Sequence, residues 1–186
     1  MYDPFGPGTI VLGGGSLLLA IALLVGFLLP GTWEAQASMA IQATPLELQS
    51  YLDSPEGWQE WTAWPDSGLV RSGPERGTGA KISWSDDELG LGSLTIGVVL
   101  EGRSVEYSVE VEGAGGAIMR THGLVTLTPT AQGLDVVWHE DGDLGRNPLM
   151  GFWALSMERA QSTEMAKGLD RLDSLATDSV RSAPPG

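Results

Sequence analysis

The sequence predicts an α+β protein: a curved antiparallel sheet around one long C-terminal helix, two short helices after the first strand, and one transmembrane helix ahead of the domain. Three observations predict it. Ile10 to Leu29 carries no charged residue and a single hydroxyl, Ser16. Between Trp33 and Glu140, short runs of alternating apolar and polar residues are separated by Gly, Pro and Asp, the pattern of half-buried strands joined by tight turns. From Leu149 to Ala176 the apolar spacing changes to that of one helical face. The expected layout is an N-terminal segment over 1–9, an anchor over 10–30, a domain over 31–176 and a polar, proline-ended tail over 177–186.

The anchor comes first. As a helix, Ile10 to Leu29 reaches roughly 30 Å, the thickness of a bilayer's hydrocarbon core, and Pro30-Gly31 stops it. Ser16 and Ala20 stand four apart, as do Ala22 and Gly26, and small residues at that spacing let a second helix approach closely. Glycine is also simply common in membrane helices, which is the plainer reading. Ala35-Gln36-Ala37 resembles a signal-peptide cleavage site. Against cleavage, no Lys or Arg precedes the apolar run, and Trp33 to Ala43 alternates as a strand that the cut would divide. A retained single-pass anchor is the expectation. The first basic residue after it is Arg71, so neither flank supplies a charge bias to set its orientation.

In the domain, Thr44-Pro45-Leu46-Glu47 has the form of a capping box with proline at the first helical position, opening a helix to about Asp53. Ser54-Pro55-Glu56-Gly57 breaks it, and a second short helix carries Trp58, Trp61 and Trp64. Strands are expected around Val70, over Ala80 to Ser85, Leu94 to Leu100 and Val105 to Val111, then Ile118 to Thr128 and Leu134 to Glu140. Short connections between successive strands imply antiparallel pairing. Asn147-Pro148 starts the last helix. Its apolar face is Leu149, Trp153, Met157, Ala160, Met165, Leu169, Leu172 and Ala176. Truncating Trp153 or Met157 to Ala is expected to cost roughly 2–5 kcal/mol.

Composition narrows the function. The 186 residues include no cysteine, which excludes disulfides, cysteine-ligated metal and thiol catalysis. A net charge of −14 argues against nucleic acid as a partner. Motifs for chemistry are sparse. His139-Glu140-Asp141-x-Asp143 mixes acids with one of the two histidines, yet matches no metal-ligand spacing, and surface acids are the default there. His122 reads as a polar-face residue. Asp86-Asp87-Glu88 lacks the calcium-loop pattern and reads as a solvated hairpin tip. Gly13-Gly14-Gly15-Ser16 lacks the Lys-Ser/Thr ending of a phosphate loop. Arg103, Ser104 and Tyr107 are polar groups that a cyclase would use, with no spacing that compels it. No catalytic residue, metal or cofactor is assigned.

The run LLPGTWEAQASMAIQATPLELQSYLDSPEGWQEWTAWP resembles the opening of the SRPBCC superfamily, the START-related, polyketide cyclase/dehydrase-like proteins, which include membrane-anchored members. GTGAKISWSDDELGLGSLTI, from Gly77, is similar to that family's Gly-x-Gly-Ala strand and hairpin. Gly145 to Pro148, continuing to Lys167-Gly168-Leu169 and Leu172, resembles its C-terminal helix. The resemblance implies a helix-grip fold, with the sheet curled around the long helix over an apolar cavity. It implies binding of lipids, steroids, polyketides or other hydrophobic molecules, and it points towards the extracytoplasmic side. It carries over no catalytic set.

Two versions of a tethered, non-catalytic module follow. Either the cavity holds a hydrophobic small molecule or lipid, or the domain is an accessory subunit of a membrane complex, for example a respiratory or photosynthetic one. A cyclase-like enzyme acting on an apolar substrate is the alternative, and it requires a buried polar pair facing the cavity. The cavity candidates are Trp84, Tyr107, Trp138, Trp153 and Met157. The candidates for membrane or partner contact are Ser16, Ala20, Ala22, Gly26, Trp58, Trp61 and Trp64.

Overall fold

The computed structural model describes residues 7–63, 65, 68–86, 90–112, 118–144 and 148–182, with side chains from Gly15 to Asp178. Helix α1 (Pro7–Leu28) leads into β1 (Thr32–Ile41), followed by α2 (Pro45–Leu52) and α3 (Pro55–Trp61). Six strands come next: β2 (Val70–Ser72), β3 (Lys81–Asp86), β4 (Gly90–Leu100), β5 (Ser104–Glu112), β6 (Ile118–Thr130) and β7 (Gly133–Asp143). Helix α4 (Pro148–Ser182) ends the described chain. The strands form one seven-stranded antiparallel sheet in the order β1-β7-β6-β5-β4-β3-β2. The expected α+β plan and element order are therefore present. β1 pairs with β7 because α2 and α3 carry the chain from one side of the sheet to the other before β2 begins.

The local chemistry of the short helices follows the sequence. The Thr44 backbone N–H donates to Glu47 Oε2 at 2.8 Å, and the Glu47 N–H donates back to Thr44 Oγ1 at 3.3 Å, completing the capping box. Ser54 caps α3 by accepting from the Gly57 N–H at 3.1 Å, with Pro55 at the first helical position. Inner-face residues of the strands alternate cleanly. Leu134, Val136, Trp138 and Glu140 of β7 face the core, as do Val105, Tyr107 and Val109 of β5.

The two halves of α4 differ. Met165, Leu169, Leu172 and Ala176 are buried under the sheet, as their spacing predicts. The first half departs from the predicted face. Leu149 and Trp153 are exposed, the latter at 56%, and Ala160 is exposed as well. Gly151 and Ala154 are the buried residues there. The reason is a crossing with α1. A Cβ on Gly151 would lie 2.7 Å from Leu29 Cβ and 2.9 Å from the Gly26 carbonyl oxygen. One on Gly26 would meet the Pro148 carbonyl and stand 3.0 Å from Phe152 Cε2. Two glycines thus let the end of α1 and the start of α4 touch backbone to backbone, and the larger side chains turn outward.

Among the residues described to the side chain, no helix is long and apolar enough to cross a membrane. From Gly15 to Leu28 the rise is about 20 Å at 1.5 Å per residue. The whole of α1, 22 residues without a charge, rises about 33 Å by the same measure.

Candidate functional site

Four aromatic rings meet beneath α4. Trp58 and Trp61, one helical turn apart on α3, have ring centroids 4.6 Å apart. Trp58 lies 4.3 Å from Tyr107, and Trp61 lies 4.9 Å from Trp138. Buried indoles need acceptors. Trp58 Nε1 donates to the Leu52 carbonyl at 2.6 Å and Trp61 Nε1 to the Tyr51 carbonyl at 3.2 Å. Arg171 of α4 donates from Nε to the Trp61 carbonyl at 2.7 Å and ties the helix down.

Glycines opposite the rings make this cluster possible. Tyr107 pairs across the sheet with Gly123, Trp84 with Gly92, and Trp33 with Gly142. In each case a Cβ on the glycine would collide with the ring lying over it. Gly168 performs the same service from α4, where a Cβ would stand 2.9 Å from Trp138 and 3.4 Å from Trp61. Rings lying across cross-strand glycines restore the packing that a bare strand position loses.

Beside the cluster lies a cavity of about 420 Å³ between sheet and α4. Trp84, Val109, Val111, Trp138 and Met165 supply apolar walls, Glu140 and Gln161 supply polar atoms inside, and Glu164 and Arg171 of α4 also line it. Glu140 is only 4% exposed. The Tyr107 hydroxyl donates to Glu140 Oε1 in a close contact, while its oxygen accepts from Trp138 Nε1 at 2.6 Å. Gln161 Nε2 donates to Glu140 Oε2 at 2.5 Å. One inward-facing acid is therefore held from the sheet by a phenol and from the helix by an amide. Burial pushes the Glu140 carboxyl up from its ordinary value, outweighing the Tyr107 and Gln161 hydrogen bonds that pull it down. Burial, followed by the adjacent Glu140 charge, pushes the Tyr107 phenol well above its ordinary range. Tyr107 thus keeps its proton and shares it with the Glu140 carboxyl, which itself opens on the cavity.

The candidates named from sequence divide as follows. Trp84 and Trp138 line the cavity, and Tyr107 stands directly behind Glu140. Trp153 faces away from the sheet, and half-buried Met157 lies outside the cavity lining. Trp58 and Trp61 are fully buried, which removes them from any membrane or partner surface. Trp64 lies outside the described residues, as do most of the acidic hairpin tip and Asn147. Ser16, Ala20 and Ala22 are exposed on α1, whereas Gly26 packs against α4 of the same chain.

The run His139-Glu140-Asp141 is split by the pleat. His139 is on the outer face, 3.7 Å from Glu34 and 4.0 Å from Asp141, while Glu140 points inward. Among the described residues no three His, Asp or Glu side chains converge as a metal site. Arg103 and Ser104 lie at the β4–β5 turn and line no part of the cavity.

Glu140 is thus a buried acid and not the surface acid that its sequence context predicts, and Gln161 is a site residue that the sequence does not single out. The signal for Glu140 was present: it stands two residues beyond Trp138, with the inward parity of Leu134 and Val136. Gln161 offered no comparable signal, because its role depends on how α4 rotates onto the sheet.

A curved antiparallel sheet, a long covering helix and an interior cavity between them define a helix-grip protein. The chain belongs to the polyketide cyclase / dehydrase and lipid transport family, whose model matches residues 32–177. Helix α1 lies outside that match. Solved structures share the fold. A Mesorhizobium loti protein, MLL2253, is 17% identical with a TM-score of 0.57, over 81% of this chain and 99% of that one. A Rhizobium leguminosarum protein described as uncharacterized is 16% identical with a TM-score of 0.57, over 79% and 95%. The di-domain ARO/CYC StfQ from the steffimycin biosynthetic pathway is 14% identical with a TM-score of 0.58, over 80% of this chain and 52% of that one. No curated protein matches the chain.

Proposed function

We propose that this protein is a membrane-tethered helix-grip module that binds an apolar small molecule bearing a hydrogen-bond acceptor. The observation that carries this reading is the cavity of about 420 Å³, a volume within the range of small-molecule sites, with apolar walls and one buried carboxyl. Trp84 and Trp138 supply flat surfaces for a ring system or acyl chain. When protonated, Glu140 supplies one donor, which sets the orientation of a carbonyl or hydroxyl oxygen. The charge-free length of Ile10 to Leu29 supports the tether. An accessory-subunit role has less support, since Trp58 and Trp61 are core residues and Gly26 is used within the chain.

The test is native mass spectrometry of the full chain extracted in mild detergent, beside a Val109→Trp variant that fills the cavity. A co-extracted apolar molecule on the wild type and its loss from a stably folded variant support binding. Equal uptake of apolar probes by both proteins would reject it.

The Glu140–Tyr107 pair favours a second reading, cyclase-like proton transfer to a substrate carbonyl. The two readings separate with Glu140→Gln. An enzyme loses turnover while keeping affinity, whereas a binding protein changes affinity alone.

A further inference from the structure

We infer that the first two turns of α4 are seated in the lipid interface beside α1, as a second membrane contact of the domain. This rests on α1 being a membrane anchor. Three observations lead to it. The first is depth. Gly151 lies against Leu29 and the Gly26 carbonyl, and Phe152 lies against Gly26. Gly26 is inside the charge-free run, so the start of α4 stands level with the last turn of α1. Whatever medium surrounds the end of α1 also surrounds Phe152.

The second is composition. No charged residue occurs between Arg146 and Glu158. Leu149, Phe152, Trp153 and Leu155 are exposed by 61%, 43%, 56% and 59%. They occupy the part of the helix surface that Gly151 and Ala154 do not bury. A convex apolar surface that includes tryptophan suits the interface between headgroups and acyl chains.

The third is continuity. Ile118 and Met119, at the exposed start of β6, face the same hollow as Pro30 and Leu155, a hollow that Glu34, Arg120, Asp141, Asp143 and Glu158 also line. Apolar surface therefore continues from α1 over α4 as far as this hollow, where the charged residues end it. Seated in this way, the domain is held by two contacts and cannot swing freely about Pro30-Gly31.

The chain has no cysteine, so single-site nitroxide labels report position directly. The full chain is reconstituted into phosphatidylcholine vesicles with a label at Leu24→Cys on α1, at Trp153→Cys on α4, or at Val98→Cys on a remote exposed strand position. Collision with oxygen, which partitions into lipid, is compared with collision with a water-soluble nickel chelate. The expected result is that the Trp153→Cys ratio shifts to that of Leu24→Cys and away from that of Val98→Cys. If Leu24→Cys reports lipid and Trp153→Cys reports water, the inference is overturned and the anchor stands. A Trp153→Cys label shielded from both reagents, in a chain that sizes as a dimer, overturns it in favour of a second copy. Water exposure at Leu24→Cys removes the anchor and the inference together. Trp153 is exposed, so its replacement leaves the core intact, and an unchanged melting curve verifies this.

Discussion

Glu140 sets the chemistry of the cavity, and its protonation is readable as stability. Its carboxyl is raised above the ordinary 4.5 because ionising it under α4 strips it of water. Below that value the carboxyl is protonated in both the folded and the unfolded chain, and its contribution to stability is fully present. As pH rises from 4.5 towards the raised value, the unfolded chain ionises first and that contribution is lost. Glu140→Gln removes the titration, so the fall in melting temperature over this window should flatten relative to wild type, as calorimetry at stepped pH would show. Tyr107→Phe removes a donor that holds the Glu140 carboxyl down, and it should move the window upward. It also leaves a buried indole N–H and a carboxyl oxygen short of a partner, at a cost of about 1–3 kcal/mol. Gly123→Ala acts on the same residue from the other side. Its Cβ would occupy the Tyr107 ring position, so urea unfolding should show a loss of about 2 kcal/mol from overpacking.

At the scale of elements, the strands and short helices were legible because local rules decide them. The Thr44–Glu47 capping box and the alternation along β5 and β7 are consequences of nearest-neighbour chemistry, and the structure shows both. The site was half legible. Trp84, Tyr107 and Trp138 could be placed on inner faces by parity, and the same parity identifies Glu140 once β7 is allowed to continue past the histidine. The first half of α4 was not legible. Its apolar period runs from Leu149 to Ala176 with one slip, the five-residue step from Ala160 to Met165, and a period cannot tell which partner a face will meet. The decisive residues were Gly26 and Gly151, whose effect depends on two segments far apart in the chain. A contrast follows. Leu169, fully buried beneath the sheet, should cost about 2–5 kcal/mol when cut to Ala. Trp153→Ala, at an exposed position in the same helix, should change stability by about 0.5 kcal/mol or less in detergent. Chemical denaturation of the two variants side by side checks this, and equal losses would return Trp153 to the core.

For the whole molecule, the seven-stranded sheet, the aromatic cluster and the buried half of α4 form one core, and the cavity is a gap within it. A ligand that fills the gap binds the folded chain alone, so it must stabilise the fold by mass action. At a free concentration one hundred times its dissociation constant, the gain is about 2.7 kcal/mol. For a chain of this size that corresponds to a rise of roughly 5–11 °C in melting temperature. The rise should disappear in Val109→Trp, where the indole occupies the space. It should also shrink as pH passes above the Glu140 titration, because an ionised carboxylate accepts rather than donates and repels a ligand oxygen. An apolar ligand that stabilises the protein equally at low and high pH would therefore occupy the cavity without using Glu140. That result would detach the buried acid from recognition and leave its hydrogen bonds to Tyr107 and Gln161 as a purely structural link between sheet and helix.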